Sequence, residues 1–227
     1  MASNFSPRFL ECCCTSAKEA VEAQKGGASR IELCERLDIG GITPSLDMVL
    51  EVLERCKIPV NVLIRPRGGD FVFSSTETEE MLNSINEFKG LGINGIVAGA
   101  LNADGSIDLD TMRRLIAAAR PLPVTFHRAF DRCADPLSAF EQIKALGCER
   151  LLTSGHEDDA LTGSPLIAEL VRRSEGKIIV MAGCGVRPSN IAEIEAVTHA
   201  PEYHSSSHGP LGTTSSQTVS ELIHNSL

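Results

Sequence analysis

Hydrophobic and polar positions follow two patterns that take turns along the chain. Short runs rich in apolar and β-branched residues are typical of buried parallel strands, and the stretches between them carry apolar residues at helical spacing. The strand-like runs begin near Phe9, Arg30, Pro59, Gly95, Leu122, Glu149, Lys177 and Glu202. Successive starts are 21, 29, 36, 27, 27, 28 and 25 residues apart, which is enough for one strand and one helix each. The pattern predicts eight βα units.

The predicted helices have recognisable starts and ends. Two of the starts fit a capping box, in which a hydroxyl side chain precedes a glutamate by three residues. They are Ser16 with Glu19 and Thr76 with Glu79. Three more starts place a capping side chain before proline, and they are Thr43-Pro44, Asp135-Pro136 and Ser164-Pro165. Glycines at 26–27, 92 and 147 follow apolar periodic stretches, as helix C-terminal caps do.

Strands separated by helices pair in parallel through right-handed crossovers. Eight such units in 227 residues predict one α/β domain, a (β/α)8 TIM barrel over residues 1–227. We expect the barrel itself to occupy residues 8–206, followed by a loop and a short C-terminal helix in 207–227. An open doubly wound sheet is the alternative fold.

The charge and the cysteines limit the partners and the location. Twenty-one basic and 30 acidic residues give a formal charge of −9 without long basic runs, which argues against nucleic acid as the main partner. The sequence shows no signal peptide and no apolar run of the ~18 residues that a membrane span needs. Its eight cysteines include no C-x-x-C pair and do not resemble a disulfide framework. We therefore expect a cytoplasmic protein with reduced thiols.

Polar residues cluster where several predicted strands end, which is where barrels carry catalytic groups. Glu11 and Glu32 occupy matching points of adjacent strands and could act as acid and base or bind a divalent cation. Alternatively, Arg65 could neutralise one of them in a buried ion pair. His127 is a candidate general base oriented by Asp131, or else a hydrogen-bond donor without a catalytic role.

An anion site is predicted at the same end of the barrel. Arg65 and Arg67 lie in a loop with two glycines, and guanidinium groups suit carboxylate or phosphate. Gly183, Gly185 and Ser206 follow the seventh and eighth strands, where barrels commonly bind phosphate through backbone N–H groups. The alternative interpretation is that the glycines only permit tight turns.

A repeated E-x-C pattern places Cys13 and Cys34 on one face of neighbouring strands. Soft thiolates prefer Cu(I) or zinc to hard cations, so these two residues are candidate metal ligands. The alternative is that they behave as small buried hydrophobes, which is how we interpret Cys12 and Cys14, expected to point toward the helices.

Five segments together closely resemble the CutC family of copper homeostasis proteins. They are residues 26–34, 41–45, 64–71, 124–131 and 152–155, and the similarity runs from about residue 9 to residue 208. The resemblance implies a cytoplasmic TIM barrel with a role in copper tolerance, in which Cu(I) binds at Cys13 and Cys34. This sequence departs from the family by having three consecutive cysteines at 12–14 and a further thiol, Cys184, between two glycines.

Two functions therefore follow from the sequence. One is copper homeostasis through thiolates at the barrel mouth. The other is a barrel enzyme acting on a small anionic or phosphorylated metabolite by acid–base chemistry through Glu11, Glu32, Arg65 and His127. We also expect a homodimer, because the eighth helix has about a dozen residues and would leave apolar surface uncovered near the eighth and first strands.

Overall fold

The computed structural model describes residues 7–224, and they form a closed barrel of eight parallel strands. The strands are β1 (Phe9–Cys14), β2 (Arg30–Leu33), β3 (Val60–Leu63), β4 (Gly95–Ala98), β5 (Val124–Phe126), β6 (Arg150–Thr153), β7 (Ile179–Gly183) and β8 (Glu202–Ser205). Neighbours in the chain pair with each other, and β1 also pairs with β8. The predicted (β/α)8 barrel is confirmed, and the open sheet is wrong.

Helices follow the strands in strict alternation and surround the barrel. They are α1 (Ala17–Gly26), α2 (Leu46–Arg55), α3 (Ser75–Phe88), α4 (Leu109–Ala119), α5 (Pro136–Leu146), α6 (Ser164–Ser174), α7 (Ile191–Thr198) and α8 (Ser216–His224). Among residues 7–224, no helix has the length and apolar character to cross a membrane.

Alternation along each strand decides which side chains enter the barrel. On β3, Val60 and Val62 pack into the main hydrophobic core between strands and helices, while Asn61 and Leu63 face inward. β5 repeats this arrangement with Val124 and Phe126 in the same core. Each fully buried apolar side chain contributes roughly 1.5–3 kcal/mol, so this layer stabilises the barrel and leaves the interior for polar groups.

Four of the predicted helix boundaries are confirmed. The Ser16 hydroxyl accepts a hydrogen bond from the Glu19 backbone N–H, and Asp135 caps α5 before its proline. Gly27 and Gly147 end α1 and α5 with left-handed backbone, which glycine adopts without strain.

Three predicted starts are wrong by one or two residues. The capping box of α3 is formed by Ser74 and Glu77 instead of Thr76 and Glu79, and Glu77 is held there by an ion pair with Arg67. α2 begins after Ser45 instead of Thr43, whose hydroxyl bonds the backbone of Arg65. α6 begins at Ser164, because that hydroxyl bonds the Ala160 carbonyl instead of capping the helix. In each case a tertiary or loop contact selects among several suitable capping residues.

The eighth helix is short, as expected, but it covers the barrel. α8 buries Val219, Leu222 and Ile223. A Cβ on Gly26 of α1 would lie 2.5 Å from Val219 Cβ, so this glycine allows α1 and α8 to pack closely. The apolar gap expected near β8 and β1 is therefore closed. The large apolar side chains that remain exposed in the described residues are Ile39, Leu46, Leu50, Val72, Val197 and Leu211.

Candidate functional site

A cavity of about 800 Å³ opens at the C-terminal ends of the strands. Its size suits a small organic molecule, and this end of a TIM barrel is where such molecules bind. Side chains from several strands and the loops after them line it, and they include Cys13, Glu32, Cys34, Arg65, His127 and His204.

The two cysteines predicted to lie on one face of neighbouring strands are close together. Cys13 Sγ lies 3.5 Å from Cys34 Sγ, and both side chains are buried in a small apolar cluster with Leu63 and Val97. This distance is far longer than the ~2.05 Å of a disulfide bond, so both residues are free thiols. The hydrogen bond with Cys34, burial and the nearby Glu32 carboxylate raise the pKa of the Cys13 thiol well above its ordinary value. Cys13 is therefore protonated in the free protein.

The other cysteines of the first strand point away from the cavity. Cys12 and Cys14 belong to the core between strands and helices, as their alternation predicts. The Cys12 thiol lies 3.3 Å from the Ser207 hydroxyl, and burial raises its pKa to about 12. Cys184 lines the cavity, but its thiol donates to the Asp158 carbonyl. The described structure thus singles out one close pair of thiols in the cavity.

Glu11 is neutralised by Arg30 and not by Arg65, which corrects the ion pair considered from the sequence. The Arg30 guanidinium, at the start of β2, bonds directly to Glu11, and His204 Nδ1 lies 2.9 Å from Glu11 Oε1. Burial alone would raise the pKa of Glu11, but the His204 and Arg30 contacts outweigh it and hold that pKa well below its ordinary value. Glu11 is thus an ionised, fully buried counter-ion, which makes it unsuitable as a general acid.

Glu32 and His204 lie beside each other at the edge of this ionic cluster. His204 Nδ1 is 3.4 Å from Glu32 Oε2, an oxygen without a hydrogen bond of its own among residues 7–224. Burial raises the pKa of Glu32 to about 7, although the nearby charge of His204 acts in the opposite direction. Burial disfavours a charged His204, yet the carboxylates of Glu32 and Glu11 raise its pKa overall.

Three ligand atoms from Glu11, Glu32 and His204 lie within 4.8 Å of one another. They could hold a divalent cation, but His204 and Glu11 already bond to each other, and Arg30 adds a positive charge beside them. The arrangement is better suited to sharing a proton than to binding a cation. Sequence reasoning did not assign roles to Arg30 and His204, although both occupy inward positions of their strands.

Arg65 faces the cavity, but its guanidinium donates hydrogen bonds to backbone carbonyls and forms no ion pair with a carboxylate in the described part of the chain. Its guanidinium donates to the carbonyls of Gly40, Gly41 and Gly69, and it lies over the Phe71 ring at 4.6 Å from the centroid. Gly40, Gly41 and Gly69 all have positive φ, which lets their loops turn their carbonyls toward the guanidinium. Arg65 therefore connects the loop after β2 to the loop after β3.

His127 is buried and neutral. Its Nδ1 accepts a hydrogen bond from the Ala129 backbone N–H, so the proton of the neutral ring is on Nε2. Burial and the nearby Arg65 charge lower the pKa of His127 to about 3. The expectation that Asp131 orients His127 is wrong, because Asp131 instead accepts hydrogen bonds from Thr153 and Ser154.

The residues predicted to bind an anion do not lie together. Arg67 pairs with Glu77 and Asp70 outside the cavity. Gly183 is buried, and a Cβ there would lie 2.4 Å from Leu152 Cδ1, so its lack of a side chain serves packing. Gly185 and Ser206 do line the cavity. Further cavity-lining arginines that sequence reasoning did not assign to the site are Arg128, Arg132 and Arg187.

Comparison with known proteins agrees with this architecture. The family model described as the CutC family matches residues 8–209. A CutC family protein of Parabacteroides distasonis is 53% identical over 200 residues, which cover 88% of this chain and 82% of that protein. The human copper homeostasis protein cutC homolog is 48% identical over 198 residues, covering 87% of this chain and 72% of that protein.

A crystal structure of CutC from Streptococcus agalactiae has the same fold. It superimposes with a TM-score of 0.83 at 31% identity and covers 88% of this chain and 98% of that chain. The resemblance seen in the sequence motifs is thereby confirmed over almost the whole described barrel. With its family model, its relatives and its fold in agreement, the chain belongs to the CutC family of copper homeostasis proteins.

Proposed function

We propose that this protein binds Cu(I) through Cys13 and Cys34 and serves copper homeostasis in the cytoplasm. The observation that carries the proposal is the 3.5 Å approach of two free thiols from adjacent strands in one cavity. Thiolates are soft ligands, and such ligands favour Cu(I) over the hard cations that carboxylates prefer. The family's copper role supports the same assignment.

The surroundings of the thiol pair fit a bound monovalent cation. Leu63 and Val97 exclude water from one side of the sulfurs, while the cavity gives access from the other. Glu32 places a carboxyl group beside Cys13, and it can offset positive charge when it is ionised. Since Cys13 is protonated in the free protein, formation of a copper thiolate must release its proton.

A competition titration tests the proposal. Anaerobic, reduced protein would compete with a chromophoric Cu(I) chelator, and we expect one bound Cu(I) per chain in the wild type. The double variant Cys13→Ser/Cys34→Ser should lose it. Cys56→Ser/Cys148→Ser is the matched control, because it removes two buried thiols that do not line the cavity. Full stoichiometry in the Cys13→Ser/Cys34→Ser variant would refute the proposal.

A further inference from the structure

We infer that Arg65 and His127 form a second binding site in the cavity, which takes the carboxylate group of a small organic molecule. The site uses neither of the thiols proposed for copper, so it stands independently of the copper proposal. Arg65 comes from the end of β3 and His127 from the end of β5, and both side chains line the cavity.

The first observation is a buried cation whose partners are all neutral. Arg65 is 4% exposed, and its hydrogen bonds go to backbone carbonyls. It forms no ion pair with a carboxylate within residues 7–224, and the acid in its own loop, Asp70, pairs with Arg67 instead. A buried charge is costly unless a counter-ion compensates it. An anionic ligand would supply the counter-charge.

The second observation is a pair of buried donors without acceptors. Arg65 Nε and His127 Nε2 are both buried in the unliganded protein, and neither has a hydrogen-bond partner in the described part of the chain. His127 is 6% exposed, and its Nδ1 is already used by Ala129. Leaving a buried N–H unsatisfied destabilises a fold, and a ligand that supplies acceptor oxygens to these two donors would remove that cost.

The two donors are held in place around one aromatic ring. The Arg65 Cζ atom lies 4.6 Å from the Phe71 centroid, and the His127 ring centroid lies 5.0 Å from it. A Cβ on Gly99 would lie 2.6 Å from His127 Nδ1, so the imidazole rests directly on the glycine backbone. Phe71, Gly99 and Ala129 thus fix the imidazole before any ligand arrives, which lowers the entropic cost of binding.

The donor set defines the class of ligand. Arg65 contributes one charged N–H and His127 one neutral N–H, which matches a group with one negative charge and two oxygen acceptors. A carboxylate has this composition, whereas a phosphate dianion carries more charge and more oxygens than these two donors satisfy. The apolar side chains of Leu37, Leu63 and Phe71 also line the cavity. We therefore expect a carboxylate on a short apolar body.

NMR of the histidine imidazole nitrogens provides a direct test. Protein labelled with ¹⁵N-histidine would be titrated with benzoate, 2-oxobutanoate and acetate, and with benzyl alcohol as the uncharged match for benzoate. We expect a saturable shift of the His127 Nε2 signal with the carboxylates and none with benzyl alcohol. Absence of a saturable shift with all three carboxylates would overturn the inference, as would an equal response to benzyl alcohol.

Variants separate the site from general effects on the fold. His127→Phe keeps an aromatic ring against Phe71 but removes the donor, and it should weaken benzoate binding about tenfold or more, as expected for a lost bond to a charged group. Calorimetry would measure this affinity. Arg65→Lys keeps the charge, loses the Nε donor and should also weaken binding. Undiminished affinity in both variants would contradict the assignment.

Two controls keep this result apart from the copper proposal. Arg67→Met removes a neighbouring arginine that is paired outside the cavity, and it should leave benzoate affinity unchanged. Cys13→Ser/Cys34→Ser should abolish Cu(I) binding and leave the His127 response to benzoate intact. Loss of benzoate binding in the cysteine variant, with the fold retained, would contradict the independence of the two sites.

Discussion

Arg30 on β2 donates through Nη2 to Glu202 on β8 over 2.6 Å, reaching past the strand that separates them. Arg150 at the start of β6 donates to the same carboxylate at 2.9 Å. These residues begin their strands, so the N-terminal half of the barrel interior contains a buried ionic layer. The C-terminal half carries the cavity. The N-terminal end of the barrel thus stabilises the fold and the C-terminal end binds ligands, as is usual in TIM barrels.

The first prediction concerns this ionic layer. Arg30→Met should lower the free energy of unfolding by about 3–5 kcal/mol, because it leaves the Glu11 and Glu202 carboxylates buried without one partner. Urea denaturation followed by circular dichroism measures the change. Arg36→Met is the matched control, since the Arg36–Asp38 pair is exposed to water and should contribute little to stability. Equal effects of the two substitutions would contradict the structural role of Arg30.

The second prediction is that Cu(I) affinity rises with pH. The raised pKa of Cys13 keeps this thiol protonated at neutral pH, so copper must displace a proton. Between pH 6.5 and pH 7.5 the affinity should increase about tenfold for each proton released. Chelator competition at both values, corrected for protonation of the chelator, gives the answer. An affinity that does not change with pH would mean that the ligands are already thiolates.

The third prediction concerns acid stability. The pKa of His127 is about 3 in the folded protein, against an ordinary value of 6.5. As the pH falls below 6.5, His127 takes up a proton in the unfolded chain but stays neutral in the folded protein. The free energy of unfolding therefore decreases between pH 6.5 and pH 3. The His127 contribution should approach roughly 1.4 kcal/mol per pH unit within that window.

Comparing variants isolates this effect from other titrating groups. Wild type and His127→Phe would be unfolded in urea at pH 7.5 and pH 5.0. The loss of stability between these values should be smaller in His127→Phe, because it has no imidazole to protonate at this position. Identical losses in the two proteins would show that His127 is not a source of acid sensitivity.

The fourth prediction is the homodimer, which we propose on a different surface from the one expected from the sequence. Leu46 and Leu50 are exposed one turn apart on α2, and Ile39 is exposed in the loop before it. Exposed apolar patches commonly mark contacts, and closed two-fold dimers are the commonest result. Light scattering should give twice the chain mass, and Leu50→Glu should give a monomer. Leu211→Glu, at an exposed loop leucine, should remain dimeric.

Much of the fold was predictable because its determinants are local. Apolar positions recur every two residues along strands and every 3.6 along helices, and both periods can be read from neighbouring residues. Eight repeats of a strand followed by a helix then predict a parallel sheet, either closed or open. The same alternation placed Glu11, Cys13, Glu32, Cys34 and His127 inside the barrel. Helix starts were less predictable, since several adjacent residues can cap and contacts such as Arg67 with Glu77 decide among them.

Apart from the Cys13–Cys34 pair, only the tertiary structure decided which interior residues meet. From the sequence, Arg65 was an alternative partner for one of the two carboxylates, but barrel closure brings β8 beside β1 and sets His204 against Glu11 across 193 positions of the chain. Arg30 then takes the ionic contact, and Arg65 is left with carbonyls from two loops. Local patterns fix the side of the sheet on which a residue lies. Its partner depends on strand register and loop conformation, which arise from long-range packing.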